Sequence, residues 1–372
     1  MAGIYIHIPF CKQACSYCNF HFSTQLSRKA AMVEALKKEI RQRKAYLENE
    51  KIETIYFGGG TPSLLNEKEL SSIFDCLQQN FNIDVKAEIT LEANPDDLSK
   101  EKLNQLKQTA INRLSIGVQS FFDQDLQFMN RTHSAEEAIS SIKNAQDREF
   151  QNLNVDLIFG SQTTTDSMWQ ANLEQFFGLN IPHLSAYSLT IEEKTALAHQ
   201  IESGKEKPLD EARNYRQYLM LQKAIKANGY EQYELSNYCA NKSYAKHNTA
   251  YWLGKSYLGI GPSAHSYNGS SRRWNVSNNI QYLNAMKAEQ AYYEKEELTE
   301  KDRYHEYLIT ALRTKWGISF EQIETFSEPL KTHFFKQVKK LNFNGLILSK
   351  NSLKINSDNL FQSDELVRKL MI

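Results

Sequence analysis

No stretch of this 372-residue chain approaches the about 20 apolar residues that a membrane-spanning helix needs, and its first residues lack the basic-then-apolar layout of a secretory signal. Both absences make the cytoplasm the expected compartment. Net charge is missing too: 44 Lys+Arg balance 44 Asp+Glu, so the composition demands neither nucleic acid nor an anionic surface as partner. Internal repeats and low-complexity tracts are absent, which excludes solenoids and linker-like arrays. Cysteine is scarce and odd in number: there are five, three of them within the first eighteen residues. A disulfide framework spreads an even set through a small secreted domain, so these read as reduced thiols gathered to hold a metal. What is present is 41% hydrophobic residues, enough for a large core, in a chain too long for one ordinary domain.

Short apolar stretches alternate with longer amphipathic ones, the pattern of repeated strand–helix units. Strands are predicted at 4–8, 53–57, 88–91, 113–118, 154–159 and 184–189, with a possible seventh at 230–235. A helix is predicted over 28–47, where Met32, Leu36 and Ile40 recur at helical spacing. Parallel strands joined by right-handed helical crossovers close naturally into a complete or partial (β/α) barrel, so the expected class is α/β. In such barrels chemistry sits in loops at the C-terminal ends of the strands. The barrel is expected over 1–240, followed by a loop-rich connecting segment, 241–298, dense in Tyr, Gly, Asn and His. Residues 299–372 read as a small α+β, winged-helix-like domain, with helices near 302–314 and 329–341 and a hairpin over 345–356.

The leading chemical motif is CKQACSYC, directly after the first strand, which brings Cys11, Cys15 and Cys18 together. Three thiolates can hold three corners of a [4Fe–4S] cubane and leave the fourth iron open to an outside ligand. A zinc ion completed by His7 or His21 is the alternative, although zinc sites usually bring two separated ligand pairs and no second pair follows. Cys76, in a helical pattern, and Cys239, in a polar loop, read as bystanders. Gly58, Gly59 and Gly60 follow a strand and can let a ligand approach backbone N–H groups, though a tight turn explains them equally well.

With Tyr17 before its last cysteine, the CxxxCxxC loop resembles the radical S-adenosylmethionine superfamily. Within it, YIHIPFC, GGGTPS, EANP, IGVQS and VDLIFG resemble the oxygen-independent coproporphyrinogen III oxidase family and its HemW-type relatives. The resemblance runs from Ile4 through the C-terminal domain and implies a [4Fe–4S] cluster with S-adenosylmethionine at its open iron. It assigns the methionyl amino end of that cofactor to Gly59, Gly60 and Thr61, and further cofactor contacts to Tyr5, Glu92, Gln119, Arg131, Asp156 and Thr190. Acidic groups suit the ammonium and ribose hydroxyls, and the planar fork of Arg131 suits the carboxylate. Taken singly, each of these residues reads as strand-end hydrogen bonding or a salt bridge. One departure stands out: where the family has Gly-Leu-Pro-Gly-Gln, this chain has Gly160, Ser161, Gln162 and Thr163, so a different course is expected for that loop.

The oxidase and the HemW-type proteins share the barrel motifs, so other features must separate them. The oxidase carries a fourth cysteine two residues after the third, where this chain has Phe20, and a longer segment ahead of its cysteines. In KHNTAYW, His247, Asn248, Tyr251 and Trp252 match the HNxxYW motif that the resemblance associates with haem binding, His247 being the candidate iron ligand. On chemistry alone, a histidine beside Tyr and Trp is more often a hydrogen-bonded structural residue. The expected function is a haem chaperone that binds haem, cluster and S-adenosylmethionine and delivers haem to apo-haemoproteins such as membrane respiratory cytochromes. The alternative is an oxidase that decarboxylates porphyrinogen propionates through a 5′-deoxyadenosyl radical. The basic run KTHFFKQVKK reads as a solvated helix face, with no nucleic acid expected as partner and oligomeric state left open.

Overall fold

A strict two-residue alternation shapes the strands that organise this molecule, a computed structural model that describes residues 2–342 and 345–372. They are β1 (Ala2–Ile8), β2 (Ile52–Gly59), β3 (Ile83–Ala93), β4 (Arg113–Gln119), β5 (Leu153–Phe159) and β6 (His183–Ser188). Each pairs in parallel with the next. Ile4, Ile6 and Ile8, like Leu114, Ile116 and Val118, are fully buried against the helices outside the sheet. The positions between them point the other way, and there the sequence is polar or small: Gly3, Tyr5 and His7 on β1, Arg113, Ser115 and Gly117 on β4. A (β/α) barrel ordinarily fills its interior with branched apolar side chains. This one keeps a polar interior, and so has room for a ligand.

The crossover helices form where the apolar stripe and the caps agree. Helix Lys29–Gln42 buries Met32, Val33, Leu36 and Ile40 on one face. Helices Glu67–Asn80 and Ala135–Asp147 begin with reciprocal capping boxes, Asn66 with Glu69 and Ser134 with Glu137. The helix predicted over 28–47 ends sooner, at Gln42, and continues as turns.

Strand order decides between a complete and a partial barrel. Short β8 (Asn237–Cys239) and β7 (Glu231–Gln232) extend the β6 edge in antiparallel fashion. The possible seventh strand at 230–235 is therefore only a two-residue rim element. At the opposite edge β9 (Tyr257–Ile260) lies parallel to β1, and β10 (His265–Tyr267), β11 (Ser271–Asn275) and β12 (Tyr293–Glu297) continue as an antiparallel meander. The sheet thus runs from β12 to β7 as an open, partial barrel of 12 strands. Between its two edges the chain crosses through helix Lys246–Trp252, which packs by the starts of β1 and β2. The segment read as loop-rich is thus two helices, Lys246–Trp252 and Asn279–Ala288, and four strands, the strands too short for a periodic signal in sequence. Cys239, read as a loop residue, is a buried strand residue.

A second core gathers Tyr304, Leu308, Ile318, Phe334, Leu353 and Leu366, beyond the meander. Helices Glu300–Ala311, Phe320–Glu324 and Glu328–Val338 surround a sheet of three strands, β13 (Ile318–Ser319), β14 (Leu346–Leu348) and β15 (Ser352–Ile355), in the order β13-β15-β14. Helix, strand, two helices and a β-hairpin in that order make a winged helix. Tyr218 donates to the Ser357 carbonyl at 2.7 Å, tying it to the barrel.

Candidate functional site

The cysteine loop is an excursion pinched at its base. Phe10 and Ser23 form a β-bridge, and the Cys11 amide donates to the Ser23 carbonyl at 3.1 Å. Loops from other strand ends strap it down. The Ser16 amide donates to the Met129 carbonyl at 3.1 Å, and Asn130 Nδ2 donates to the Ala14 carbonyl at 2.7 Å. Lys12 pairs with Asp96 at 2.9 Å and with Asp97. Cys11, Cys15 and Cys18 are free thiols, partly exposed at the C-terminal end of β1. Burial pushes the Cys11 thiol up to about 11 and that of Cys18 upward. Metal binding must therefore displace protons there.

Two donors face the sulfurs. The Thr61 hydroxyl lies 3.4 Å from Cys11 Sγ, and Arg131 Nη1 lies 3.3 Å from Cys15 Sγ. Arg131 Nη2 donates at 2.7 Å to both Asn94 Oδ1 and the Gly117 carbonyl, which fixes the guanidinium. Its Nε is buried without a partner among the described residues. Among the described residues, no three His, Cys, Asp or Glu side chains converge as ligands of a single ion. A cubane asks for something else: one thiolate per corner iron, with donors and positive charge nearby to offset the sulfurs. The three thiols, Thr61 and Arg131 fit that demand, and the orphaned Nε fits a carboxylate beside it.

Inside the barrel lies a cavity of ≈ 320 Å3, lined by Tyr5, Gly59, Glu92, Asp156, His247, Asn248 and Tyr251 among the residues singled out from sequence. Glu92 accepts from the Tyr56 hydroxyl at 2.7 Å and from the Gly59 amide at 3.2 Å. Burial outweighs these donors and raises its carboxyl to about 7. Burial likewise raises Asp156, against the help of Ser185 and Asn154; Asn154 Nδ2 donates to it at 2.6 Å. Tyr5 stacks beside Tyr56, ring centroids 6.1 Å apart. Its hydroxyl bonds His7 Nδ1 at 3.1 Å, while His7 Nε2 donates to the His21 carbonyl at 2.8 Å. Glycine is required at Gly59 and Gly60: a Cβ would strike the His7 ring at 2.4 Å in the first case and the Phe10 carbonyl oxygen at 2.6 Å in the second.

His247 forms part of the cavity wall near the start of β2. Nδ1 meets Thr54 Oγ1 at 2.7 Å and Nε2 meets the Tyr251 hydroxyl at 2.8 Å, so both ring nitrogens are engaged. Burial lowers its pKa to about 3 and keeps the ring neutral. Asn248 turns to Glu234, donating at 3.1 Å, and Trp252 neighbours the same carboxylate. Gln119 ends β4 with φ +68°, its amide close to Gly117 and Arg131. Tyr17 packs with the Met129, Ile158, Leu189 and Leu197 cluster. Thr190 stands apart in an exposed loop, bonded to Glu192 at 3.1 Å. The departing loop after β5 is pinned by Arg213, which donates to the Ser161 and Gln162 carbonyls at 3.2 and 3.0 Å, and by Thr163 on Asp125 at 2.6 Å.

Sequence reasoning missed Arg113, Ser115, Asn154, Ser185 and Asn237, which line the same cavity, and Phe20, exposed at 67% and also among its lining residues. A usable signal existed for three of them: Arg113, Ser115 and Asn154 occupy alternate positions in strands whose intervening positions are apolar.

Comparison with known proteins agrees with this construction. Residues 5–176 match the model of the radical SAM superfamily and residues 298–356 that of the HemN C-terminal domain. The heme chaperone HemW of Lactococcus lactis is 34% identical over 86% of this chain and 83% of its own length. HemW of Bacillus subtilis is 33% identical over 93% of each chain. Coproporphyrinogen III oxidase, HemN, from Escherichia coli superposes with a TM-score of 0.83 at 21% identity, covering 99% of this chain and 89% of that one, a likeness of fold. The superfamily implies a [4Fe–4S] cluster and bound S-adenosylmethionine, and among the described residues no helix is long and apolar enough to cross a membrane. Two relatives above 30% identity over most of their length, on a barrel with three thiols at its mouth, make this chain a member of the HemW/HemN family of radical S-adenosylmethionine proteins.

Proposed function

We propose that this protein is a haem chaperone: it binds haem at the barrel cavity, beneath a cluster on Cys11, Cys15 and Cys18, and transfers it to apo-haemoproteins such as respiratory cytochromes. The observation that carries this reading is similarity over 86% and 93% of the chain to two proteins named heme chaperones, joined to a polar, aromatic-walled cavity lined by His247 and Tyr251. Phe20, where a fourth cysteine marks the oxidase resemblance, supports the same reading.

The cluster, when bound, supplies an electron to the sulfonium cofactor. The chain's own residues do the holding. Thr61 and Arg131 would offset the sulfurs, Arg131 Nε would receive the cofactor's carboxylate, and Glu92 and Asp156 would serve its ammonium and ribose. His247 offers a neutral imidazole, and Nε2 becomes available to iron once a single hydrogen bond, that of Tyr251, is released. A flat macrocycle is larger than the cavity and would enter by one edge, with Phe20 and Tyr187 exposed and available to the remainder.

Anaerobic reconstitution with iron and sulfide, followed by haem titration and incubation with an apo-cytochrome, tests the reading. Stoichiometric uptake and handover are expected, with no vinyl product from coproporphyrinogen III. Absence of haem uptake, or formation of that vinyl product, refutes it.

A further inference from the structure

Arg113 is the one strongly basic side chain lining the cavity among the described residues. It opens β4, where it pairs in register with Thr90, one inward position below Ser115 and Glu92. Only 2% of its surface is exposed, yet its guanidinium makes no hydrogen bond or ion pair within the described residues. That is unusual. A buried guanidinium has five donors in a fixed fork, and burying it unpaired costs several kcal/mol on the order-of-magnitude scale for buried charge. Arg43, nearly as buried, is satisfied instead: it donates to Glu39, the Gly259 carbonyl and Ser266. The carboxyls nearest in the fold are engaged elsewhere: Glu92 accepts from Tyr56 and the Gly59 amide, Asp156 from Asn154, and Glu88 from the His247 amide. The cavity floor therefore holds a cation beside Ser115, Asn154 and Ser185 that has no hydrogen-bonded or ion-paired carboxylate among the described residues.

We infer that Arg113 is the anchor for a carboxylate of the cavity's occupant, and specifically for a propionate of the tetrapyrrole, inserted edge-first with its acidic edge toward the floor. This rests on the haem reading above and adds to it the orientation of the ligand. The sulfonium cofactor's own carboxylate has Arg131 Nε near the cysteine loop, which leaves Arg113 to the tetrapyrrole. Planar, bidentate recognition of a carboxylate is what a guanidinium does better than an ammonium.

The test titrates the reconstituted full chain with haem and with haem dimethyl ester, which keeps the iron and the macrocycle but removes both negative charges. Wild type is expected to bind the ester roughly 10- to 100-fold more weakly, the usual range for a buried charged hydrogen-bonded pair. Arg113→Gln should bind haem and ester alike, at the ester's wild-type affinity, and Arg113→Lys should recover only part of the discrimination. S-adenosylmethionine affinity, measured by equilibrium dialysis, should be unchanged in both variants. Equal affinities of wild type for haem and ester overturn the inference without needing any variant, and so does a parallel loss of S-adenosylmethionine binding in Arg113→Gln. If wild type takes up neither compound, the chaperone reading falls and this inference with it, whereas uptake without ester discrimination removes this inference alone.

Discussion

Replacing Glu92 with Gln should change how the stability of this protein depends on pH, in a direction and by an amount that the structure specifies. Burial raises the Glu92 carboxyl from 4.5 to about 7, with Tyr56 and Gly59 donors and the Arg113 charge only partly opposing it. An unfolded chain releases that proton near 4.5, while the folded chain holds it until about 7. Between those values the folded state binds more protons, so stability falls as pH rises through this window. The full shift converts to a ceiling of about 3 kcal/mol. Glutamine keeps an oxygen for the Tyr56 hydroxyl and has nothing to ionise. Urea unfolding of apoprotein at about pH 5 and about pH 8 should therefore show Glu92→Gln gaining up to about 3 kcal/mol on wild type between the two conditions. The buried histidines titrate in both proteins and cancel in the difference. Identical pH dependence in the two proteins would refute the account of a buried, protonated carboxyl.

Other consequences follow from the same geometry. Acid should destabilise the fold as pH drops from about 6.5 toward about 4, because His7 and His133 are lowered to about 4 and His247 to about 3, so the unfolded state takes up protons that the folded state refuses. At about pH 5 each contributes a loss of about 2 kcal/mol, visible as a falling Tm. Gly160→Ala should cost about 1–3 kcal/mol in thermal unfolding, since Gly160 has φ +79° and its Cβ would land 1.4 Å from Asn214 Oδ1. Gly178→Ala, with open space around it at a helix end, is the control expected to be neutral or slightly stabilising. Arg131→Gln should lower iron content per chain after reconstitution, by withdrawing charge from Cys15 and leaving the Gly117 carbonyl without its donor. Tyr251→Phe should free His247 Nε2 and tighten haem binding several-fold in an absorbance titration, whereas His247→Ala should weaken it; weakening in both would assign Tyr251 itself to the ligand.

Much of the architecture could be read along the chain. Strands predicted at 4–8, 113–118 and 154–159 lie within or nearly coincide with β1, β4 and β5, because buried parallel strands carry dense apolar residues between long amphipathic helices. The meander from β9 to β12 escaped notice for the opposite reason. Strands of three to five residues, rich in Tyr, Arg and Ser and exposed along β12, have no periodic signal, and only pairing with β1 gives them an address. Residues 230–235 show the converse: a sound local β pattern reduced to Glu231–Gln232, since the β6 edge was taken by β8.

The candidate site divides along the same line. Spacing was enough to place Cys11, Cys15 and Cys18 on one loop, because residues a few positions apart need no distant partner to be neighbours. Arg113, Asn154 and Ser185 carry no such local mark. They become a cavity floor only when alternate positions of separate strands are turned to the inside of one curved sheet. His247 shows what a motif leaves open: KHNTAYW placed it among aromatics, whereas packing against Thr54 and Tyr251 determined that both ring nitrogens are engaged and the ring neutral. Residue type and short-range spacing act through bonds along the chain and can be read there; inward or outward, paired or orphaned, are relations between strands distant in sequence, and closure of the sheet alone establishes them.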